Sequence, residues 1–374
     1  MVRRLVKDFR WSVIPVPGRL IAVIFLVFVF FIPLLITTPF YLRMFVYINI
    51  FVIFAVSWDL LSGYSGQLNF GHALFFGVAA YTSALLWKYL GWQPWATIPL
   101  SVLAAVAAGV VTCFPALRLR GPYLSLLTLA FPLMLLGIIL ALKDITGAEY
   151  GIWGIPALAP TVTQEYYIVL AVTIASVLIM WKLTDAGSKY IRTGLIFHAI
   201  REDEIAARAL GINTIRYKML AFAIGGLFAG ISGALYTHVA EAINVYVLAM
   251  TTSFQAVIWV VFGGIVSIYG GVVGVYLLYP IIYLTGDISR FFSNAYEAAI
   301  KAHSTVLAGF LNVMQLITGQ TLIIMAALVI LILLFMPRGL AVQIRDKIER
   351  ECPRCKLANA AWRRECRACS APLH

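Results

Sequence analysis

The chain has 374 residues, 62% of them hydrophobic and 12% charged. Soluble domains run near half apolar and a quarter charged, so a string of two or three soluble domains is excluded in favour of a membrane protein. A net charge of +12 would by itself suit a nucleic-acid partner, but the positions of the basic residues give it another meaning.

The first segment, 1–19, carries Arg3, Arg4, Lys7 and Arg10 ahead of an apolar run from Leu20 to Ile36. That run is longer than a signal-peptide core and no small-x-small cleavage site follows, so it reads as the first spanning helix. A span needs about 20 apolar residues. Such runs fall at 20–40, 44–61, 70–90, 95–117, 122–142, 165–183, 219–239, 252–268, 271–286 and 318–336. The expected fold is therefore an all-α polytopic membrane protein of about ten transmembrane helices, with 20–337 as one membrane domain. The third, eighth and ninth runs are glycine-rich and are candidates for broken or re-entrant segments. Such backbone is tolerated at membrane depth only where protein or a cavity satisfies it. With the N-terminus inside, 23 of the 28 Lys and Arg residues fall on the inner side. A miscount by one span would destroy this bias, so both termini are expected in the cytoplasm of a plasma-membrane protein, and no nucleic acid is needed.

Four stretches interrupt the apolar pattern: 184–218 and 338–374 inside, 143–164 and 287–317 outside. The last mixes Phe291, Phe292, Ile300 and Leu307 with Glu297 and Lys301, which suits a helix lying at the interface. Glycine-rich segments near 63–80 and 263–275 hint at two related halves.

The first chemistry-bearing motif runs from Leu60 to His72 and holds Gly63, Tyr64, Gly66, Gln67, Asn69, Gly71 and His72. Polar groups between two apolar runs are costly unless they face a cavity or each other. Two readings stay open: a solute path lined by Gln67, Asn69 and His72, or a tight helix–helix turn packed on small residues. Asp59, just before the motif, is expected to reach water at the inner face. The second motif lies in the 184–218 loop, where Ile200–Gly211 has the residues for a short amphipathic helix with an apolar stripe from Ala199, Ile200, Ala206, Ala207 and Leu210. Glu202, Asp203 and Glu204 sit near its start, where the helix dipole favours anions, and Glu204 can pair with Arg208. Such a helix is either a docking element for a moving partner or a solvated connector.

The third motif closes the chain. Cys352 and Cys355, then ten residues, then Cys366 and Cys369, give two CxxC pairs at a separation that suits one tetrahedral zinc ion. With Asn359 between them, the 352–369 spacing is similar to small Ran-binding-type zinc fingers, although the aromatic usual before the first cysteine is missing. The expectation is a zinc-ribbon-like cytoplasmic tail, 338–374, with one structural Zn2+. The alternative is an unstructured tail with redox-active thiols. Cys113 lies within a span and reads as packing.

No GxxxxGK[ST], GxSxG or HExxH occurs, so the chain is expected to bind no nucleotide through a phosphate loop and to be no enzyme.

The segment Gly63–Ala73 followed by Phe75-Phe76-Gly77-Val78-Ala79-Ala80-Tyr81 resembles the permease family of high-affinity branched-chain amino acid importers, whose members carry a motif like GYxGQLSxGHA and then FFGxxAY. Further segments agree in order. Leu117–Tyr123 resembles LRLRGxY, Thr146-Gly147 with Gly154-Ile155-Pro156 resembles TGG…GIP, Ala199–Ile212 resembles AIREDEIAAEALGI, and Phe335–Leu340 resembles FxPRGL. Ala148-Glu149 departs from the usual small polar residues. The resemblance implies an ABC importer permease fold of the LivM-like type and transport of Leu, Ile or Val, with urea and short amides as the nearest alternatives. It implies as partners a LivH-like second permease, two ATPase subunits and an external solute-binding protein, with ATP hydrolysed on the separate ATPases. By the same resemblance Gly63, Tyr64, Gly66, Gln67, Asn69, Gly71 and His72 border the solute path. Arg201, Glu202, Asp203, Glu204, Ala206, Ala207, Leu210 and Gly211 seat the ATPase. The zinc-type tail has no counterpart in that family. A self-contained ion-coupled transporter would instead need a carboxylate within the membrane, for which Asp59 is the candidate.

Overall fold

The structure, a computed structural model, describes residues 17–117, 119, 121–185, 192–301, 305–352 and 358–366. Helices α1 (Pro17–Leu35), α2 (Pro39–Trp58), α3 (Ala73–Leu90), α4 (Pro94–Ala116) and α5 (Pro122–Ala141) are followed by a single turn, α6 (Lys143–Thr146), and by α7 (Val162–Thr184). Two short helices, α8 (Thr193–Glu202) and α9 (Glu204–Ala209), precede the long α10 (Thr214–Ala240). Then come α11 (Met250–Gly263), α12 (Ile268–Lys301), α13 (Thr305–Gly319), α14 (Thr321–Phe335) and α15 (Leu340–Ile348). Short antiparallel pairs join β1 (Ile152–Trp153) to β2 (Ala242–Ile243) and β3 (Glu349–Glu351) to β4 (Ala358–Ala360). Pro39, Pro94 and Pro122 open α2, α4 and α5, where the missing N–H costs no helical bond.

Among the described residues, 7 helices are long and apolar enough to cross a membrane: α2 with its continuation to Tyr64, α3, α4, α5, α7, α10 and α12. That is fewer than the ten spans read from hydropathy. The eighth and tenth runs form shorter helices, α11 at 14 residues and α14 at 15, while the first run forms the 19-residue α1. At 1.5 Å per residue, α11 reaches only about 21 Å against about 30 Å of hydrocarbon. Hydropathy counts apolar residues whether or not their helix is continuous. The chain before α11 makes a short 3-10 turn, Val245–Leu248, buried at Val245, Val247 and Leu248, so apolar length is shared between that turn and a half-length helix. The ninth run, expected to be a possible break, is one continuous helix. The outer stretch 287–317 is also different from expectation: α12 runs on to Lys301 and α13 packs back along it, so two helices stand where one interfacial helix was expected.

α2 lies at the centre, with nearly all of its side chains from Ile48 onward buried. It touches α7, α10, α11 and α12. A helix that is apolar on every side belongs in such a position. α10 packs closely on α3 and α4 through small residues: a Cβ on Gly226 would stand 2.7 Å from the Ala105 carbonyl oxygen and one on Gly233 2.1 Å from that of Phe76. Close backbone approach of this kind is how helices associate without a hydrophobic driving force.

The links between helices sort to two ends of the bundle. At one end, Asp59 after α2 meets the α11–α12 link and Gly66 meets Arg201 of α8. At the other, Lys88 donates to the Ile145 carbonyl at 2.8 Å and β1 pairs with β2. Arg3, Arg4, Lys7, Arg10, Arg118 and Arg120, which carry part of the charge bias, lie outside the described residues.

Candidate functional site

α2 passes into a wide π-helical turn, Asp59–Tyr64, a geometry often found at functional sites. Asp59 does not reach water as expected; it is fully buried. Its two oxygens accept the backbone N–H of Val266 at 2.8 Å and of Ser267 at 3.0 Å. Those donors lie in the tight α11–α12 link, where Val266 has φ 62°. Free N–H groups at the start of α12 attract a carboxylate, which is why the acid turns inward rather than out. Gly63 makes room for it, since a Cβ there would stand 2.0 Å from Asp59 Oδ1.

The following turn ties five elements together. Asn69 and His72 are buried, and their polar atoms are spent locally. Asn69 Oδ1 accepts the Gly71 N–H at 2.8 Å, the Asn69 N–H reaches Ser62 Oγ at 3.1 Å, and its carbonyl accepts Trp58 Nε1 at 2.6 Å. His72 Nε2 bonds Ser57 Oγ at 2.8 Å. Gln67 Nε2 donates to the Ser65 carbonyl at 3.3 Å. Outward ties follow: the Phe70 N–H to Thr128 Oγ1 of α5 at 3.1 Å and the Ala73 N–H to Ser253 Oγ of α11 at 3.0 Å. Gly71 lies so close to α5 that a Cβ would stand 1.8 Å from the Thr128 carbonyl oxygen. Gly66, at φ 71°, is exposed on one side and on the other would press a Cβ to 3.2 Å from Arg201 Cα. The Tyr64 ring meets His198 edge-on at 5.5 Å. The turn is thus a joint between α2, α3, α5, α8 and α11.

α8 and α9 form an elbow where one Ile200–Gly211 helix was expected. Asp203 breaks it: with extended φ and ψ, its Oδ1 accepts the N–H of Ile205 at 2.8 Å and of Ala206 at 3.0 Å and starts a new helix. An Asp in this position favours capping over continuing the helix. Glu204 bonds Arg208, as its spacing predicts, and also Lys218 at 2.8 Å and Thr214 at 3.3 Å. Burial alone would raise Glu204, but the Lys218 and Arg208 hydrogen bonds and charges outweigh it and hold the carboxyl below the usual glutamate range. Burial, and then the Arg201 charge, push the His198 imidazole down from its ordinary value. Of the residues expected to seat a partner, Ala207 is buried, Glu204 faces half inward, and Arg201, Glu202, Asp203, Ala206, Leu210 and Gly211 are exposed. Ile205 is 66% and Leu210 82% exposed, an apolar tip on a polar elbow.

Toward the opposite end, a cleft of about 250 Å³ opens between α2, α3, α10 and the irregular stretch before α11. Phe51, Phe76 and Tyr236 form its aromatic wall, with Asn244, Thr252 and Gln255 as polar neighbours. The wall is backed by Trp259 and Tyr279, each 5.2 Å from Phe51. Of these residues the sequence motifs include only Phe76, and none was read from sequence as a cleft wall. Apolar aromatics inside spans carry no signal that separates a cleft wall from core.

In the tail, Cys352 and Cys366 are buried. Cys355 and Cys369 lie outside the described residues, among which no three His, Cys, Asp or Glu side chains converge on a metal position.

A family model described as branched-chain amino acid transport system, permease component, matches residues 40–288. The chain is 33% identical over 218 residues to the high-affinity branched-chain amino acid transport system permease protein LivM of Salmonella typhimurium, covering 50% of each. The LivM protein of Escherichia coli matches with the same identity and coverage. The guanosine ABC transporter permease protein NupQ of Bacillus subtilis is 27% identical over 191 residues, 46% of this chain and 59% of that one. The chain spans about half the length of the LivM relatives it matches. No solved structure matches.

Proposed function

This chain belongs to the family of branched-chain amino acid transport permease components, and from that premise we propose that it is the permease subunit of an ATP-driven importer for leucine, isoleucine and valine. In this reading residues 20–337 form the permease, the 184–218 loop receives an ATPase, and 1–19 and 338–374 are cytoplasmic. A LivH-like second permease, two ATPases and an external solute-binding protein complete the assembly. The observation that carries it is the physical link from elbow to cleft. The exposed Ile205–Leu210 tip belongs to an elbow that bears on Gly66, and the turn from Gly66 to Ala73 is bonded to Ser253 of α11, beside the cleft. Motion applied at the elbow is thereby handed to the elements that wall the cleft. The sequence-expected path residues Gly63, Tyr64, Gly66, Gln67, Asn69, Gly71 and His72 then act as the moving joint at the edge of the path. Phe51, Phe76 and Tyr236 offer the apolar surface that a branched side chain fits.

The guanosine relative supports a second reading, in which the solute is a nucleoside. Urea and short amides form a third. Asp59, which an ion-coupled transporter would need, is committed to two backbone N–H groups. The test is uptake by vesicles holding this chain with its second permease, ATPases and binding protein. Radiolabelled leucine should enter only with ATP inside the ATPase compartment, and at least about tenfold faster than guanosine or urea. Preferential guanosine or urea uptake would reassign the solute, and leucine uptake unaffected by ATP would overturn the importer reading.

A further inference from the structure

We propose that the segment after α15 is a metal site in which Cys352, Cys355, Cys366 and Cys369 hold one zinc ion as thiolates. The first ground is the backbone. β3 and β4 form a hairpin with Glu349 opposite Ala360, Arg350 opposite Asn359 and Glu351 opposite Ala358. Cys352 therefore stands at the mouth of the connection that contains Cys355, three positions on in sequence. In sequence the pair keeps the CxxC spacing by which two thiolates chelate one ion.

The second ground is what this small unit buries. Cys352 is 0% and Cys366 3% exposed, and Asn359 and Ala360 are buried with them. Trp362, the only aromatic between the two cysteines, is 73% exposed. A unit of about twenty residues is too small for a hydrophobic core, and this one leaves Trp362 exposed while it buries Cys352 and Cys366. That is the arrangement of a fold assembled around a metal.

The third ground is a donor aimed at sulfur. Asn359 Nδ2 donates to Cys366 Sγ at 3.7 Å. An N–H donor at that position favours thiolate over thiol and tunes the ligand it touches. In sequence, Arg354, Lys356, Arg363, Arg364 and Arg367 interleave with the four cysteines, which offsets the net −2 of a four-thiolate zinc site. The unit is held to the membrane domain. The Ala361 N–H reaches the Ile348 carbonyl at 2.7 Å, and Arg345 of α15 donates to Tyr269 of α12 at 2.9 Å and lies over its ring. Zinc binding would therefore order a strap beside the α11–α12 link that Asp59 holds.

The experiment is metal analysis of the full chain, purified in detergent under reductant and without chelator. About one zinc per chain is expected, with all five thiols titratable after denaturation in chelator. Cys352→Ser combined with Cys366→Ser should lower zinc at least about tenfold, Cys113→Ser should leave it unchanged, and Asn359→Ala should weaken zinc about 10–100-fold in a competition with chelator. If the double variant does not express, cobalt exchanged into the parent chain should give the absorption of a tetrahedral thiolate site. Less than about half an equivalent of zinc in reduced parent chain, full zinc in the double variant, a disulfide involving Cys352 or Cys366, or no thiolate–cobalt absorption would each overturn the proposal.

Discussion

The turn at 65–72 and the elbow at 193–211 both interrupt an apolar chain with polar residues, yet they use them in opposite directions. In the turn, Asn69 and His72 are buried and bonded to Ser62, Gly71 and Ser57. In the elbow, Asp203 and Glu204 fix the local shape, while Ile205 and Leu210 face outward without cover. The turn is built to keep its neighbours in register. The elbow is built to keep its own shape while offering a surface. Polarity in the sequence marks both places but does not say which is packed inside and which faces outward; burial does.

The sharpest way to break the comparison is at the joint. Asp59→Ala should leave the Val266 and Ser267 N–H groups buried without an acceptor and cost about 2–5 kcal/mol. Asp59→Asn, which keeps one acceptor oxygen, should cost about half as much. Thermal unfolding of the detergent-purified chain reads both, and if both variants melt with the parent the carboxylate does not hold the α11–α12 link.

At the elbow the opposite signature is expected. Leu210→Glu should leave stability within about 0.5 kcal/mol of the parent and lower ATP-driven leucine uptake at least about tenfold, as loss of an exposed anchor does. A Cys at Leu210 should react with an impermeant reagent only from the cytoplasmic side, and one at Glu241 only from outside. Normal uptake by Leu210→Glu would remove the elbow as the ATPase seat, and reversed labelling would invert the orientation. Charge reversal at Glu202 separates docking from shape, because Glu202 is exposed. Reversing Asp203 or Glu204 would instead destroy the cap or the Lys218 pair.

The smallest effect concerns pH. Glu204 is held below its ordinary value, so its contribution is fully present above the unfolded glutamate value of about 4.3 and is lost as pH falls through the folded value. Proteolysis of the elbow should therefore rise in mild acid below about pH 4, and Glu204→Gln should remove that dependence while raising cleavage at neutral pH. An elbow equally resistant at both pH values would mean that the Lys218 and Arg208 bonds add nothing to its order.

Much of this was legible beforehand, and the failures have physical causes. The Gly63–His72 segment and the 199–212 segment were both visible as interruptions with a meaning. Ile200–Leu210 has good helix formers, which places Asp203 inside a helix, whereas one capping side chain outweighs several propensities of a few tenths of a kcal/mol. Water is the expectation for Asp59 because an isolated carboxylate near a membrane end normally finds it; the two N–H groups that hold it belong to a segment 207 and 208 residues away. The eighth run reads as a span because its apolar length is sufficient, although the helix formed there, α11, has only 14 residues.

The amino-acid sequence by itself determined that the chain is a multi-pass membrane protein and which family it resembles. Those are sums over neighbouring residues: apolar length and motifs in order. Only the tertiary structure decided what the polar residues do. Phe70 reaches Thr128, 58 residues on, and Ala73 reaches Ser253, 180 residues on. Whether a polar atom lines a path, holds a joint or faces a partner depends on which distant backbone or side chain packing brings within about 3 Å of it. No local pattern carries that distance.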